Sequence, residues 1–254
     1  MATYKKRGYK PKNKAEQQQL ETDKSTTAEV FSTLDQSASR SEQWVQRNQN
    51  YILGAIGVIA VAVLGYLAYN QFVQNPKEES AANELFYPQQ YFDQALNATA
   101  KDSLFNLALN GGEGKYGFLD IIDEYSGTKA ANLANYSAGM AYLNMQQYDE
   151  AIKHLENFKS DDAILGALAK GGIGDSFMQL GQPDEALGYY EQAIKHSENQ
   201  FTTPKFLYKA GITAMELKNN EKALGYFRRI KEEYPDSNEA STIDVFIGMA
   251  QKGA

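Results

Sequence analysis

The chain has 254 residues, 43% hydrophobic and 22% charged, with a formal net charge of −7 and no cysteine. It is long enough for one domain of ordinary size plus an accessory segment, and it excludes disulfides, thiolate metal sites, a cysteine nucleophile and a lipid-modified N-terminal cysteine. Residues 1–50 carry nine Lys/Arg against six Asp/Glu, a net of +3, whereas those beyond residue 76 carry sixteen against twenty-six, a net of −10. That acidic part would repel a nucleic-acid backbone.

Residues 1–28 are rich in Lys, Gln, Thr and Ser and poor in large apolar groups, so this part of the 1–50 tail is expected to be disordered. Val30, Phe31, Leu34 and Ala38 fall at helical spacing and predict a short juxtamembrane amphipathic helix. Ile52–Tyr69 then runs for eighteen residues without a charge. As a helix it spans roughly 27 Å, close to a hydrocarbon core, and 51–71 is the predicted transmembrane segment. Trp44, Tyr51, Tyr66 and Tyr69 lie at or near its ends, where amphipathic rings suit the lipid–water boundary. The run starts about fifty residues in, late for a cleaved signal, and reads better as an uncleaved anchor. Arg40, Arg47 and the upstream group Lys5, Lys6, Arg7, Lys10, Lys12 and Lys14 precede it, while only Lys77 follows closely, beside Glu78, Glu79 and Glu84. This asymmetry predicts a cytoplasmic N-terminus and a C-terminal part on the opposite side.

Residues 72–131 are expected to form a short linker broken at Pro76 and a degenerate first hairpin. Its second helix, Phe118–Tyr125, ends at Ser126-Gly127; its first comes from 80–109, interrupted near Pro88 and around 97–102. Residues 132–237 repeat. Ala138-Gly139-x-x-Tyr142 with Ala151-x-x-x-Leu155 is followed by Ile173-Gly174-x-x-Phe177 with Ala186-x-x-x-Tyr190. The third copy is Ala210-Gly211-x-x-Ala214 with Ala223-x-x-x-Phe227, closed by Pro235. The Gly-to-Ala interval is twelve residues in each copy, and the copies recur after 35 and 37 residues. Small residues at these two positions let paired helices approach closely, with bulky groups around the contact, and a polar turn separates each pair. Residues 238–254 supply a C-terminal helix that caps the exposed apolar end.

These residues resemble tetratricopeptide repeats, whose period is about 34 residues. The predicted fold is therefore all-α: one transmembrane helix, then a superhelical array of about four helical hairpins with a C-terminal capping helix. The order of tail, span and repeats, with Glu42-Gln43-Trp44-Val45, Asn48 and Asn50 ahead of a glycine-bearing span, resembles the YfgM-like family of bacterial inner-membrane proteins. The resemblance implies a periplasmic array and partners among Sec translocon subunits, periplasmic chaperones and unfolded exported clients. The longer Lys-rich tail departs from that family. A general cell-envelope assembly scaffold and a cytosol-facing adaptor on an organelle membrane are the alternatives. The adaptor's carboxylate clamp is missing, because Met140, Asp175 and Ile212 stand after the motif glycines where that clamp has Asn in its first two repeats.

No catalytic, cofactor or metal site is predicted, and no enzyme activity or small-molecule substrate. His154 and His196 read as surface histidines on second helices. Gly112-x-Gly114-x-x-Gly117 matches a dinucleotide fingerprint but lacks a βαβ context and reads as a flexible loop. In the repeat family, positions 2, 5, 9 and 12 of each first helix face the concave surface. Here they are Leu133, Tyr136, Met140, Leu143; Leu168, Gly171, Asp175, Met178; and Lys205, Tyr208, Ile212, Met215. The expected protein-binding groove comprises Leu133, Tyr136, Met140, Leu143, Met178, Tyr208, Ile212 and Met215, a stripe of adaptable apolar groups suited to an amphipathic or unfolded segment. The alternative is that these side chains pack on the first hairpin or the capping helix.

Overall fold

A computed structural model describes residues 13–98 and 101–253. It divides into two units, Met1–Tyr69 and Asn70–Ala254. The Lys-rich start of the tail lies outside the described residues.

The first unit is one helix, α1 (Lys14–Tyr69). It begins inside the stretch expected to be disordered. Nothing between Lys14 and Gly54 breaks a helix: there is no proline or glycine there, and Gln, Ala, Glu and Lys are good helix formers. Its apolar run is exposed on every side, with Val58 at 71% and Leu64 at 65%. One 18-residue window has a mean hydropathy of 2.3 and none of it is buried. Among the described residues this helix is long and apolar enough to cross a membrane.

Among its described residues the second unit consists of helices joined by turns and loops, with a single isolated bridge between Gly112 and Lys115. A π-helical turn, Asn70–Gln74, leads to α2 (Asn75–Glu84). Pro76 does not break the chain as expected. It occupies the first turn of α2, where its missing N–H would have had no partner. α2 is tied to the loop before the first repeat by Lys77 Nζ donating to Ser126 O at 2.9 Å. Glu78 accepts from the Lys129 and Ala130 backbone N–H groups at 2.8 and 3.0 Å. It thereby caps the next repeat's first helix from a distance, and Thr128 caps the same end locally.

α3 (Phe86–Asn97), α4 (Lys101–Asn110) and α5 (Phe118–Glu124) follow. The hairpin here is α3 with α4. The short α5, expected to close that hairpin, packs chiefly on α6 (Lys129–Asn144) instead. Aromatic rings explain the pairing: Phe92 meets Phe105 at 5.5 Å and Phe118 at 6.2 Å, both edge-on. The Gly112–Gly117 loop is packed. A Cβ on Gly117 would come 2.3 Å from Gly111 N, and Gly111 itself has φ +74°, a conformation open to glycine at little cost.

Three helix pairs complete the array: α6 with α7 (Tyr148–Asn157), α8 (Leu165–Gln179) with α9 (Pro183–His196), and α10 (Thr203–Glu216) with α11 (Asn220–Glu233). Every first helix ends in the same way. Gln146, Gly181 and Lys218 have φ of 60°, 72° and 59°. The next residue's N–H reaches back to Tyr142 O, Phe177 O and Ala214 O at 2.9, 2.9 and 2.8 Å, a Schellman turn repeated in phase. After a 3-10 turn, α12 (Ile243–Lys252) covers the last pair. Phe246 stands perpendicular to Tyr208 at 5.0 Å and lies 5.7 Å from Phe227.

Candidate peptide-binding groove

The first helices α6, α8 and α10 carry the predicted stripe, and the fold sends its members to different surroundings. Leu133 stands 38% exposed beside an open depression of about 1000 Å³ lined also by Leu85, Phe86 and Leu104. Tyr136 and Met140 are half-buried in the packing between the first two pairs, with Phe158 5.1 Å from the Tyr136 ring. Met215 packs into the large cluster around α10 and α11. Gly171 is filled from the neighbouring repeat, since a Cβ there would lie 1.9 Å from Phe206 Cε1.

Leu143, Met178, Tyr208 and Ile212 are brought together around one cavity of about 600 Å³. Tyr208 also packs against the capping helix, so the chain fills part of this wall itself. Asn144, Gln146, Tyr148 and Gln179 complete its lining with polar groups.

An ion pair in this lining was not anticipated. Lys209 Nζ donates to Asp175 Oδ1 and Oδ2 at 2.5 and 2.6 Å, and the Tyr190 hydroxyl donates to Asp175 Oδ1 at 2.8 Å. Burial, then the adjacent Asp175 charge, pushes the Tyr190 phenol well above its ordinary range, so it remains a donor. The signal was available: Asp175 and Lys209 lie 34 residues apart, close to the 37 that separates these two copies, and so occupy adjacent first helices. The site therefore offers apolar walls, a self-neutralised ion pair and amide groups. That combination suits an apolar side chain with its backbone polar groups at the rim.

His154 is not a surface residue. It is 7% exposed, stacks on Tyr142 at 5.4 Å, and its Nδ1 lies 3.1 Å from Asn135 Oδ1. Asn135 spends its own N–H on Ala131 O, so the histidine is the donor. Burial, reinforced by Lys153, lowers the imidazole's affinity for a second proton. His196 is half-buried at the end of α9, with Nε2 3.0 Å from Asp162 O.

Two family profiles, both described as tetratricopeptide repeat, match residues 172–238 and 134–158. An uncharacterized protein of Guillardia theta named ycf37 is 32% identical over 98 residues, which is 36% of this chain and 55% of that relative. The chain thus spans just over half the length of the relative it matches. The acidic unit of this chain carries tetratricopeptide repeats, an architecture that indicates a scaffold for protein–protein interaction.

Proposed function

We propose that the chain is a membrane-tethered scaffold of a bacterial inner membrane. Its repeat unit lies on the periplasmic side and holds unfolded or amphipathic segments of exported polypeptides. Sec translocon subunits and periplasmic chaperones are its proposed neighbours, and its work is binding rather than catalysis. The observation that carries this reading is an eighteen-residue apolar run with no protein cover joined to a repeat array. In water that much exposed apolar surface is strongly unfavourable, and a bilayer removes the cost. The basic residues before the run and the acidic residues after it support the orientation.

The cavity around Met178 supports the client class. Its apolar walls and neutral ion pair favour uncharged, apolar segments over charged ones. A photo-crosslinking side chain placed at Met178 in native membranes tests the proposal. Adducts with exported polypeptides, translocon subunits or chaperones are expected there, and none from the exposed Lys153. Adducts confined to cell-wall assembly proteins would favour the general envelope scaffold instead.

A further inference from the structure

We propose that α12 is an interaction surface for a second copy of this chain. Two α12 helices pair antiparallel across a two-fold axis near Gly248, each standing where a second helix stands in the repeats. The pairing goes beyond the reading of the chain as a scaffold for other proteins.

The case starts from the repeat register. Gly248 lies 37 residues after Gly211, the same interval that separates Gly211 from Gly174. α12 is therefore in phase as a fourth first helix, and its packing agrees. The residues five before and two after the glycine are buried on α10, as Phe206 and Thr213, and equally on α12, as Ile243 and Ala250. The surroundings of the glycine differ. A Cβ on Gly139, Gly174 or Gly211 would run into Leu155, Tyr190 or Phe227 of the paired second helix, whereas one on Gly248 meets nothing within 4 Å. Among the described residues this notch has no occupant. Beside it Val245 is 63% and Met249 51% exposed, although the outermost helix of a repeat array ordinarily turns polar groups outward.

Geometry, bulk and charge together specify a second α12 as the occupant. The helices of each pair are joined by a short turn and so run antiparallel, and a two-fold axis across α12 places an identical helix antiparallel to it. Val245 and Met249 flank Gly248 in sequence, so each α12 brings both a notch and the bulk to fill its partner's, with methionine adapting its shape to the gap. Asp244 lies in the first turn of α12 and Lys252 in the last, each four residues from Gly248. Antiparallel pairing about that glycine sets Asp244 near the partner's Lys252, twice over by symmetry. Lys252 is exposed and forms no ion pair among the described residues. Asp244 Oδ1 accepts from Lys231 Nζ at 2.7 Å, and a carboxylate has room for a further donor. The helix is ten residues long, so the contact is weak alone. The proposed tether confines both copies to one bilayer and raises their effective concentration.

The chain contains no cysteine, so a single introduced one reports only on its own contacts. Gly248→Cys puts a thiol in the notch without displacing a neighbour, and paired α12 helices bring the two thiols within disulfide reach. In native membranes under mild oxidation this variant is expected to form a disulfide-linked homodimer. Its yield should be about tenfold that of Phe201→Cys, where the thiol meets another copy only by random collision; Phe201 is 67% exposed on the loop before α10. Adding Lys252→Glu to Gly248→Cys should lower the yield about fivefold, because two attractions become repulsions. Lys195→Glu, on α9, should leave it unchanged. Equal yields from the two cysteines, adducts only with other proteins, or a yield indifferent to Lys252→Glu with helicity retained would overturn the pairing. The pellet and the aqueous fraction are blotted together. A failed tether moves the whole chain to the aqueous fraction, where cross-linking at high chain concentration still decides the pairing; a failed pairing leaves monomer in the pellet.

Discussion

Gly211 lies against the ring of Phe227, so close that a Cβ on Gly211 would come 2.2 Å from Phe227 Cε1. The same relation joins Gly139 to Leu155 Cγ at 2.6 Å and Gly174 to Tyr190 Cε1 at 2.7 Å. In each repeat the glycine of the first helix makes room for the bulky residue sixteen positions later. Phe227 is fully buried between α10, α11 and α12 and has nowhere to retreat. Gly211→Ala should therefore destabilise the chain by about 2–3 kcal/mol through overpacking. Thermal unfolding followed by circular dichroism reads this. Gly188→Ala is the control, since nothing lies within 4 Å of its added Cβ.

The Schellman turns predict opposite signs at equivalent positions. Gln146 and Lys218 hold φ near +60° with a side chain, whereas Gly181 does so without one. Gln146→Gly and Lys218→Gly should each stabilise by roughly 0.5–1 kcal/mol, and Gly181→Gln should cost about 1 kcal/mol. Denaturant titration of the three variants checks the pattern.

Asp175 joins two repeats through Lys209 and satisfies Tyr190. Asp175→Ala leaves a partly buried ammonium and a buried hydroxyl without their acceptor, a loss of about 2 kcal/mol. Asp175→Ala/Lys209→Met should lose less than the two single changes combined. A double-mutant cycle by chemical denaturation measures this; strict additivity would mean that the pair is not coupled.

His154 predicts a pH dependence. Its folded form resists protonation because of burial first and Lys153 second. The unfolded chain takes up that proton near the ordinary imidazole value of about 6.5. Below that pH the unfolded state binds more protons, so this contribution to stability is fully present above it and declines as pH falls towards the folded value. The melting temperature should drop on acidification from neutral to mildly acidic pH, and drop less in His154→Gln.

The repeats were legible because small residues must sit where two helices touch, and that requirement recurs with the period. The in-phase glycines 139, 174 and 211 show it directly. The α3–α4 hairpin was not, because Phe92, Phe105 and Phe118 organise it through ring contacts that leave no periodic mark. Nor was the burial of His154, since its neighbours Asn135 and Tyr142 come from another helix. Glu78 looked like part of an acidic flank, and only the fold brings it to the start of α6. In the expected groove, residues from adjacent first helices meet at one cavity, while Tyr136 and Met140 are drawn into the packing between repeats. Which stripe positions stay open depends on the size of the neighbouring second-helix and loop residues, such as Phe158.

Protease digestion of native membrane vesicles of both orientations addresses the tether and its sidedness together. In inside-out vesicles the account predicts loss of the basic tail and protection of everything from the apolar run onward. In right-side-out vesicles it predicts digestion of the repeat unit. Recovery of the intact chain in the aqueous fraction, or a repeat unit cleaved from the cytoplasmic face, would contradict it.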